Sequence, residues 1–492
     1  MKKYILSIDA GTTGISILLF DNNAKVVQKV YSEFTQFYPR AGWVEHDANE
    51  IWEITLSLIQ SIVVNIDVRE IAGIGITNQR ETTVVWDRKT SNPVYNAIVW
   101  QCRRTSDYCN SLDSKYGDLF KEKTGLVMDS YFSGTKINWI LNNVADTYSR
   151  AEKGQLAFGT IDTWLIWKLT NGKFHVTDHS NASRTLIYNI DTHNWDEQLL
   201  EIMNIPPSLL PDIQNSSSEF GMTDQKLFNL DIPICGVAGD QQAALYGQIG
   251  FDAGTTKCTY GTGCFMLTNN GSKRLDSKNG LLTTVACNEI GQPTYALEGS
   301  VFIGGAVIQW LRDELGLINT ADETEAIAES VKDTNTVYIV PAFAGLGAPH
   351  WDMSARGTIS GITRGTNRAH IIRAGLESIA FQVNDLLTAI QNDLNINISQ
   401  MNVDGGATAN NFLMQFQADI SNLTIERPTN IETTALGAAL LAGLGSGFWS
   451  DPSQFTKFRK INKRFKPKMD CKKDSTYIEN WNKAIARTLT IN

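Results

Sequence analysis

The sequence predicts an α/β fold made of two duplicated domains with a cleft between them. Three observations carry this expectation. Two glycine-punctuated turns of related design, Asp9-Ala10-Gly11-Thr12-Thr13-Gly14 and Thr259-Tyr260-Gly261-Thr262-Gly263, each follow a short β-prone run. The succession of strand-like and helix-like segments starts afresh after Phe251-Asp252-Ala253-Gly254. At 492 residues the chain is also too long for a single core. In such turns glycine lets the backbone approach a ligand closely, and threonine supplies N–H and hydroxyl donors to anionic oxygens. Two of them facing one cleft would grip a polyphosphate from both sides, so the cleft is read as a nucleotide site.

The first half opens with three strand-like runs, KKYILSID, ISILLFD and KVVQKVYSEF, the last two joined by the turn residues Asp21-Asn22-Asn23. From Asn49 onward Ile51, Trp52, Ile54, Leu58 and Ile62 recur near helical spacing and predict a helix. IAGIGITNQ at 71–79 is apolar until its polar end, the pattern of a buried parallel strand that reaches a site. TTVVWD reads as a strand, TKINWILNNV as a helix, and ICGVAG at 234–239 as a buried strand opening into the helix DQQAALYGQ. In the second half KCTYGT and CFMLTN read as strands, followed by a helix from Gly304 through Leu315 and the strand VYIVPAF. A long helix from Arg368 to about Ile390, the strand QMNVDGG and the helices NNFLMQFQADI and ETTALGAALLAGL complete the pattern. Domains are therefore expected at 1–250 and 251–492, and without a Pro- or Ser-rich linker the halves should pack closely and hinge. The basic run FRKINKRFKPK after Lys457 reads as a solvated surface.

A net charge of −9 argues against nucleic acid and a basic membrane surface as partners, so an anionic ligand must be held by local donors. Asp9 interrupts the N-terminal apolar run too early for a signal-peptide core. The longest apolar stretch, Thr434 to Trp449, is rich in glycine and shorter than the roughly 20 residues of a membrane span. It is read as a buried helix, and the protein is expected in the cytoplasm. The seven cysteines, Cys102, Cys109, Cys235, Cys258, Cys264, Cys287 and Cys471, contain no C-x-x-C pair, which predicts reduced, mostly buried thiols rather than zinc or a dithiol centre. His175 and His179 are four apart, but the residues between them read as a strand, and no metal is assigned to them.

Two carboxylates stand where chemistry is expected. Asp9 ends the first strand beside the first phosphate turn, a position suited to orienting the waters of Mg²⁺. Asp240 follows a buried strand and begins a helix; capping alone would explain it, yet open α/β sheets also place ligands at such strand ends. Arg80 offers a rigid donor fork and Glu81 an acceptor next to it, at the end of the 71–79 strand, where they could address neighbouring hydroxyls. Trp100 offers a large rigid apolar face.

The blocks GWVEHDANEIW, GITNQRETTVVW, NAIVWQCRRT, DSYFSGTKINWIL, VTDHSNASRT, GVAGDQQAALYGQ, YGTGCFML, ALEGSVFIGGAVIQWLRDE and VDGGATANNFLMQFQAD span nearly the whole chain. In them the chain resembles the FGGY carbohydrate kinases, which have the actin and sugar-kinase (ribonuclease H-like) fold. QRETT, WQCRRT, YFSGTK, GDQQAAL and GTGCF resemble the branch of that family that phosphorylates glycerol. The resemblance implies ATP-dependent conversion of glycerol to sn-glycerol 3-phosphate with Asp240 as general base. It implies that Arg80, Glu81, Tyr131, Asp240 and Gln241 hydrogen-bond the polyol and that Trp100 and Phe265 wall its carbons. Thr12, Thr13, Gly14, Thr262, Gly305, Gln309, Gly406 and Asn410 match nucleotide-binding positions, and Mg²⁺ would lie near Asp9 and Asp240. A homo-oligomer, dimer or tetramer, is expected with it.

The first phosphate turn departs from the family pattern, which continues Ser-Ser-Arg where this chain has Gly14, Ile15 and Ser16. The segment MTDQKLFNLDIP after Gly221 also lacks the Gly- and Arg-containing effector loop, and the histidine, of some relatives. Rival readings are a kinase of the same family acting on another polyol or a ketopentose, and an actin-like ATPase, which would need no polyol set at residues 80, 81, 100 and 265.

Overall fold

A computed structural model describes residues 1–287, 293–469 and 471–490, with backbone alone for residues 471–474. Strands β1 (Tyr4–Ala10), β2 (Gly14–Phe20) and β3 (Val26–Glu33) form an antiparallel meander, and β1 also pairs in parallel with β4 (Ile71–Asn78). β4 is buried along its whole length, the reason its sequence is a continuous apolar run rather than an alternation. β3 lies at the edge and alternates between half-buried and exposed residues. With β5 (Ser217–Met222) and β6 (Pro233–Gly239) the six-stranded order is β5-β6-β4-β1-β2-β3.

The second sheet repeats this plan. It comprises β7 (Thr256–Tyr260), β8 (Cys264–Gly271), β9 (Leu282–Val285), β10 (Tyr295–Val301), β11 (Gln400–Asp404), β12 (Thr424–Pro428) and β13 (Ile461–Phe465), in the order β9-β10-β8-β7-β11-β12-β13. β7 pairs antiparallel with β8 and parallel with β11, as β1 does with β2 and β4. The two phosphate turns are therefore equivalent features, the hairpin connections β1–β2 and β7–β8.

Helix α1 (Ala48–Val63) begins where Asp47 caps it, accepting the Asn49 N–H at 2.8 Å, and buries Ile51, Thr55, Ile59 and Ile62. Helix α2 (Asp240–Gly247) leaves the end of β6 directly. In the second half, α3 (Ala306–Asp313), α4 (Arg368–Leu394), α5 (Asn411–Ser421) and α6 (Thr433–Gly445) follow the predicted segments. Helix α6 is apolar on all sides because it is covered on all sides. It lies against the first sheet, where Ser7 Oγ donates to the Ala435 carbonyl at 2.8 Å, and its residues share one core with Ile5, Phe20, Ala238 and Ala243. A β-carbon at Gly437 would collide with the Ala243 carbonyl of α2, so the two helices touch backbone to backbone. Thr433 Oγ1, at the start of α6, donates to Asp404 at the end of β11, which ties the same helix to the second sheet.

The basic run after Lys457 is largely the solvated surface expected of it, with Lys460, Lys463, Arg464, Lys466 and Lys468 exposed. Its residues 461–465 form edge strand β13, and Arg459 and Arg464 both pair with the buried Glu426, at 2.8 and 2.6 Å. Two cations sharing one buried carboxylate hold the edge against β12. Cys102, Cys109, Cys235, Cys258 and Cys264 are buried thiols, as expected, whereas the side chain of Cys471 lies outside the described residues. Among the described residues no helix is long and apolar enough to cross a membrane.

Candidate functional site

The ends of β1, β4 and β6 converge with the start of β8, and their side chains enclose a cavity of about 40 Å³. Thr12, Arg80, Glu81, Trp100, Tyr131, Asp240, Gln241 and Phe265 line it. All seven residues expected at the acceptor are thus gathered, from segments far apart in the chain. Trp100 stands between Tyr131 and Phe265, with ring centroids at 5.5 and 5.9 Å in edge-to-face geometry. Glu81 takes a left-handed backbone conformation, φ 51°, which turns the chain sharply as it leaves the Arg80 position.

A charge network orders the polar wall. The Arg80 guanidinium donates from Nη1 and Nη2 to Glu298 at 2.5 and 2.8 Å, and its Nε lies 3.2 Å from Asp240. Arg184 Nη2 adds a hydrogen bond to Glu298 at 3.0 Å, while its Nε donates to Glu81 at 2.7 Å. Burial alone would raise the pKa of Glu298, but Arg184 and Arg80 together hold it down to about 2. Glu81 is pushed up instead, because burial outweighs Arg80 and Arg184 there. Asp240 is also raised by burial, against the opposing charges of Arg80 and Lys257, and accepts its neighbour's Gln241 N–H at 2.7 Å. A carboxylate with a raised pKa, fixed by an arginine and facing a recess, is suited to accepting a proton.

A larger cavity of about 660 Å³ lies in the second half. Thr262, Gly305, Gln309, Gly406 and Asn410, five of the expected nucleotide residues, line it together with Arg312, Thr324 and Glu325. The turn 261–263 is held by the α3 entry: the Gly304 and Ala306 N–H groups donate to the Thr262 carbonyl at 2.8 and 3.1 Å. Asn410 caps α5 by accepting the Leu413 N–H at 2.9 Å and donates to Thr324 at 3.0 Å. This turn leads straight into Phe265, so the two cavities share one hairpin.

The first phosphate turn sits differently from this set. Thr12 lines the small cavity, where its hydroxyl accepts the Trp100 indole N–H at 2.9 Å. Thr13 is exposed and accepts the Phe34 N–H through its carbonyl at 3.3 Å. Gly14 is buried, and a β-carbon there would meet the Tyr31 ring and the Ser32 carbonyl, both at 2.6 Å. A serine at position 14 of this chain would therefore require Tyr31 and the β3 backbone to shift. Asp9 is half-buried, and its pKa is pushed up to about 8, first by burial and then by the charge of Asp240. Two carboxylates disfavouring each other's charge fit a hard divalent cation, which would relieve that repulsion with oxygen ligands. Among the described residues no three His, Cys, Asp or Glu side chains converge, so such an ion would complete its shell with water and phosphate oxygens.

Glu298, Arg184 and Lys257 are functional-site neighbours to which sequence reading assigned no role. For Glu298 and Lys257 the available signal was a charged residue within an apolar or small-residue strand, as in ALEGSV and TTKCTY, whereas Arg184 lies in a turn and carried no such signal.

The N-terminal domain of the FGGY family of carbohydrate kinases matches residues 4–247, and its C-terminal domain matches residues 256–446. The chain belongs to the FGGY family of carbohydrate kinases. This FGGY chain is 57% identical over 490 residues to the glycerol kinase of Carboxydothermus hydrogenoformans, covering 99% of the chain and 98% of that relative. It is 56% identical over 492 residues to the glycerol kinase of Clostridium botulinum, covering 99% of each. Among solved structures, that of Plasmodium falciparum glycerol kinase with ADP superimposes with a TM-score of 0.91 at 40% identity, covering 99% of both chains. The duplicated sheets described above are thus the two domains of an FGGY kinase.

Proposed function

We propose that this FGGY kinase transfers the γ-phosphoryl group of ATP to glycerol, yielding sn-glycerol 3-phosphate and ADP. The observation that carries the reading is the small recess in which the Arg80 guanidinium, the Glu81 carboxylate, the Gln241 carboxamide and an aromatic wall surround the Asp240 carboxylate. A three-carbon triol needs that combination of paired donors and acceptors with a short apolar face. The relatives named above, glycerol kinases by name, support the same acceptor.

In this reading Asp240 takes the proton of the attacking hydroxyl while the hydroxyl oxygen bonds to the γ-phosphorus and the bond to the bridging β–γ oxygen breaks. Arg80, held in two directions by Glu298, fixes the acceptor so that little orientational freedom remains to be lost at the transition state. The Trp100–Phe265 wall keeps water from the position the hydroxyl occupies. Thr262, Gly305, Gln309, Gly406 and Asn410 hold the nucleotide, with Thr12, Thr13 and Gly14 closing the phosphate end. Asp9 and Asp240 would hold Mg²⁺, which neutralises charge on the polyphosphate when bound. Supply of ATP and a set of reduced thiols accord with a cytoplasmic enzyme, and the exposed Val27 and Tyr31 on edge strand β3 offer a surface for a dimer or tetramer.

The test is ADP release with glycerol, dihydroxyacetone, a ketopentose or no acceptor. Turnover of about 1 to 100 per second that requires glycerol is expected. Equal release without acceptor would overturn the reading in favour of an ATPase, and preference for the ketopentose would reassign the acceptor.

A further inference from the structure

Lys257, in β7, is wholly buried and takes no part in the transfer chemistry described above. An ammonium group can only donate. Lys257 Nζ donates to Gln241 Oε1, to Thr259 Oγ1 at 2.9 Å and to the Phe265 carbonyl at 3.4 Å. Two of these three acceptors belong to residues that line the acceptor recess.

The consequence for Gln241 is directional. A carboxamide has one accepting and one donating end, and the buried ammonium occupies the accepting end. Turning the amide over would set NH₂ against NH₃⁺ in a closed site and cost Lys257 one of its three acceptors. We propose that Lys257 is a positioning residue: it locks the Gln241 side chain as a hydrogen-bond donor toward the acceptor recess and fixes the backbone that carries the Phe265 wall. The substrate atom opposite Gln241 must then accept a hydrogen bond, as an alcohol or carbonyl oxygen does and an ammonium group does not. The contact also spans the two halves of the chain, since Gln241 lies in α2 and Lys257 in the second sheet. This inference rests on the recess being the glycerol site.

Steady-state kinetics with glycerol and ATP varied in turn would be measured for the wild type, Lys257→Met, Gln241→Ala, Gln241→Glu and the Lys257→Met/Gln241→Ala pair. Lys257→Met is expected to raise the glycerol KM about 10-fold and to leave the ATP KM within about 2-fold. In the Gln241→Ala background the same lysine change should alter the glycerol KM by less than about 2-fold, because the lysine acts through the glutamine. Gln241→Glu keeps an acceptor for Lys257 but has no N–H, so its glycerol KM should match that of Gln241→Ala. A wild-type glycerol KM in Gln241→Glu, or equal multiplication of KM by Lys257→Met in both backgrounds, overturns the proposal. Should Lys257→Met fail to bind ADP or to unfold cooperatively, Lys257→Arg and Gln241→Glu decide: the arginine should keep a near-wild-type glycerol KM and the glutamate should not. Absence of glycerol turnover in the wild type is a separate result, against the glycerol reading itself; the same cycle is then run with whichever acceptor supports turnover.

Discussion

Arg80 stands both in the acceptor recess and in a buried ion cluster, and its substitution should report on each. Truncation in Arg80→Ala would remove the charged hydrogen bonds proposed to hold the acceptor and should lower kcat/KM for glycerol roughly 10- to 150-fold, with little change in the ATP KM. It also strips Glu298 of two of its three guanidinium hydrogen bonds. Breaking one side of a buried pair costs about 3 to 5 kcal/mol, so the variant should unfold at distinctly lower urea concentration. A loss of glycerol use with unchanged stability would mean that Arg184 alone sustains Glu298. Asp240→Asn separates chemistry from structure: the amide retains size but cannot take the hydroxyl proton, so kcat should fall about 10²- to 10⁴-fold while ADP titration gives near-normal affinity. A variant retaining more than about a tenth of the turnover removes Asp240 from the base role. Arg80, Glu81 and Asp240 were legible because each ends or follows a buried strand within a few residues of sequence. Glu298 was not, because the partner that explains a carboxylate inside an apolar strand lies 218 positions away.

At the scale of elements, α6 shows what periodicity can and cannot reveal. An unbroken apolar run predicts a helix covered on every side, and the helix is there. Periodicity carries no information about which sheet does the covering, and the answer, the sheet built from residues at the other end of the chain, comes from close backbone packing. The basic run around β13 is mostly solvated, as a run of like charges predicts, but the pattern does not reveal that Glu426, on the neighbouring strand, takes two of the cations. The contact of Gly437 with α2 gives a sharp test. Gly437→Ala should force α6 and α2 apart, costing about 1 to 3 kcal/mol by overpacking. Because α2 begins at Asp240, the same displacement should lower kcat more than it raises either KM. Urea midpoints and initial rates on the same preparation check both parts, and an unshifted midpoint would show that the helices separate without cost.

Across the whole molecule, Glu298 is a fully buried carboxylate that joins the halves, since it comes from the second sheet while Arg80 and Arg184 come from the first 250 residues. Its pKa is about 2 in the folded state against an ordinary value of 4.5, so the folded protein favours the charged form. A group depressed in this way contributes stability that is fully present above pH 4.5 and is lost as the pH falls toward about 2. The shift corresponds to about 3 to 4 kcal/mol at most, from roughly 1.4 kcal/mol per pKa unit. Glu81, raised by burial, shifts in the opposite sense, and acid unfolding of the wild type mixes the two effects. The difference between wild type and Glu298→Gln isolates the clamp. That variant should be less stable than wild type by a margin that is constant from about pH 7 to 5 and narrows steadily below pH 4.5, as wild-type Glu298 becomes protonated within the folded protein's competing unfolded state. Urea unfolding at half-unit pH intervals measures the margin directly. A gap that stays the same down to pH 3.5 would assign the effect of the substitution to lost packing or hydrogen-bond geometry, and the two halves would then be joined chiefly through α6 rather than through the buried charge.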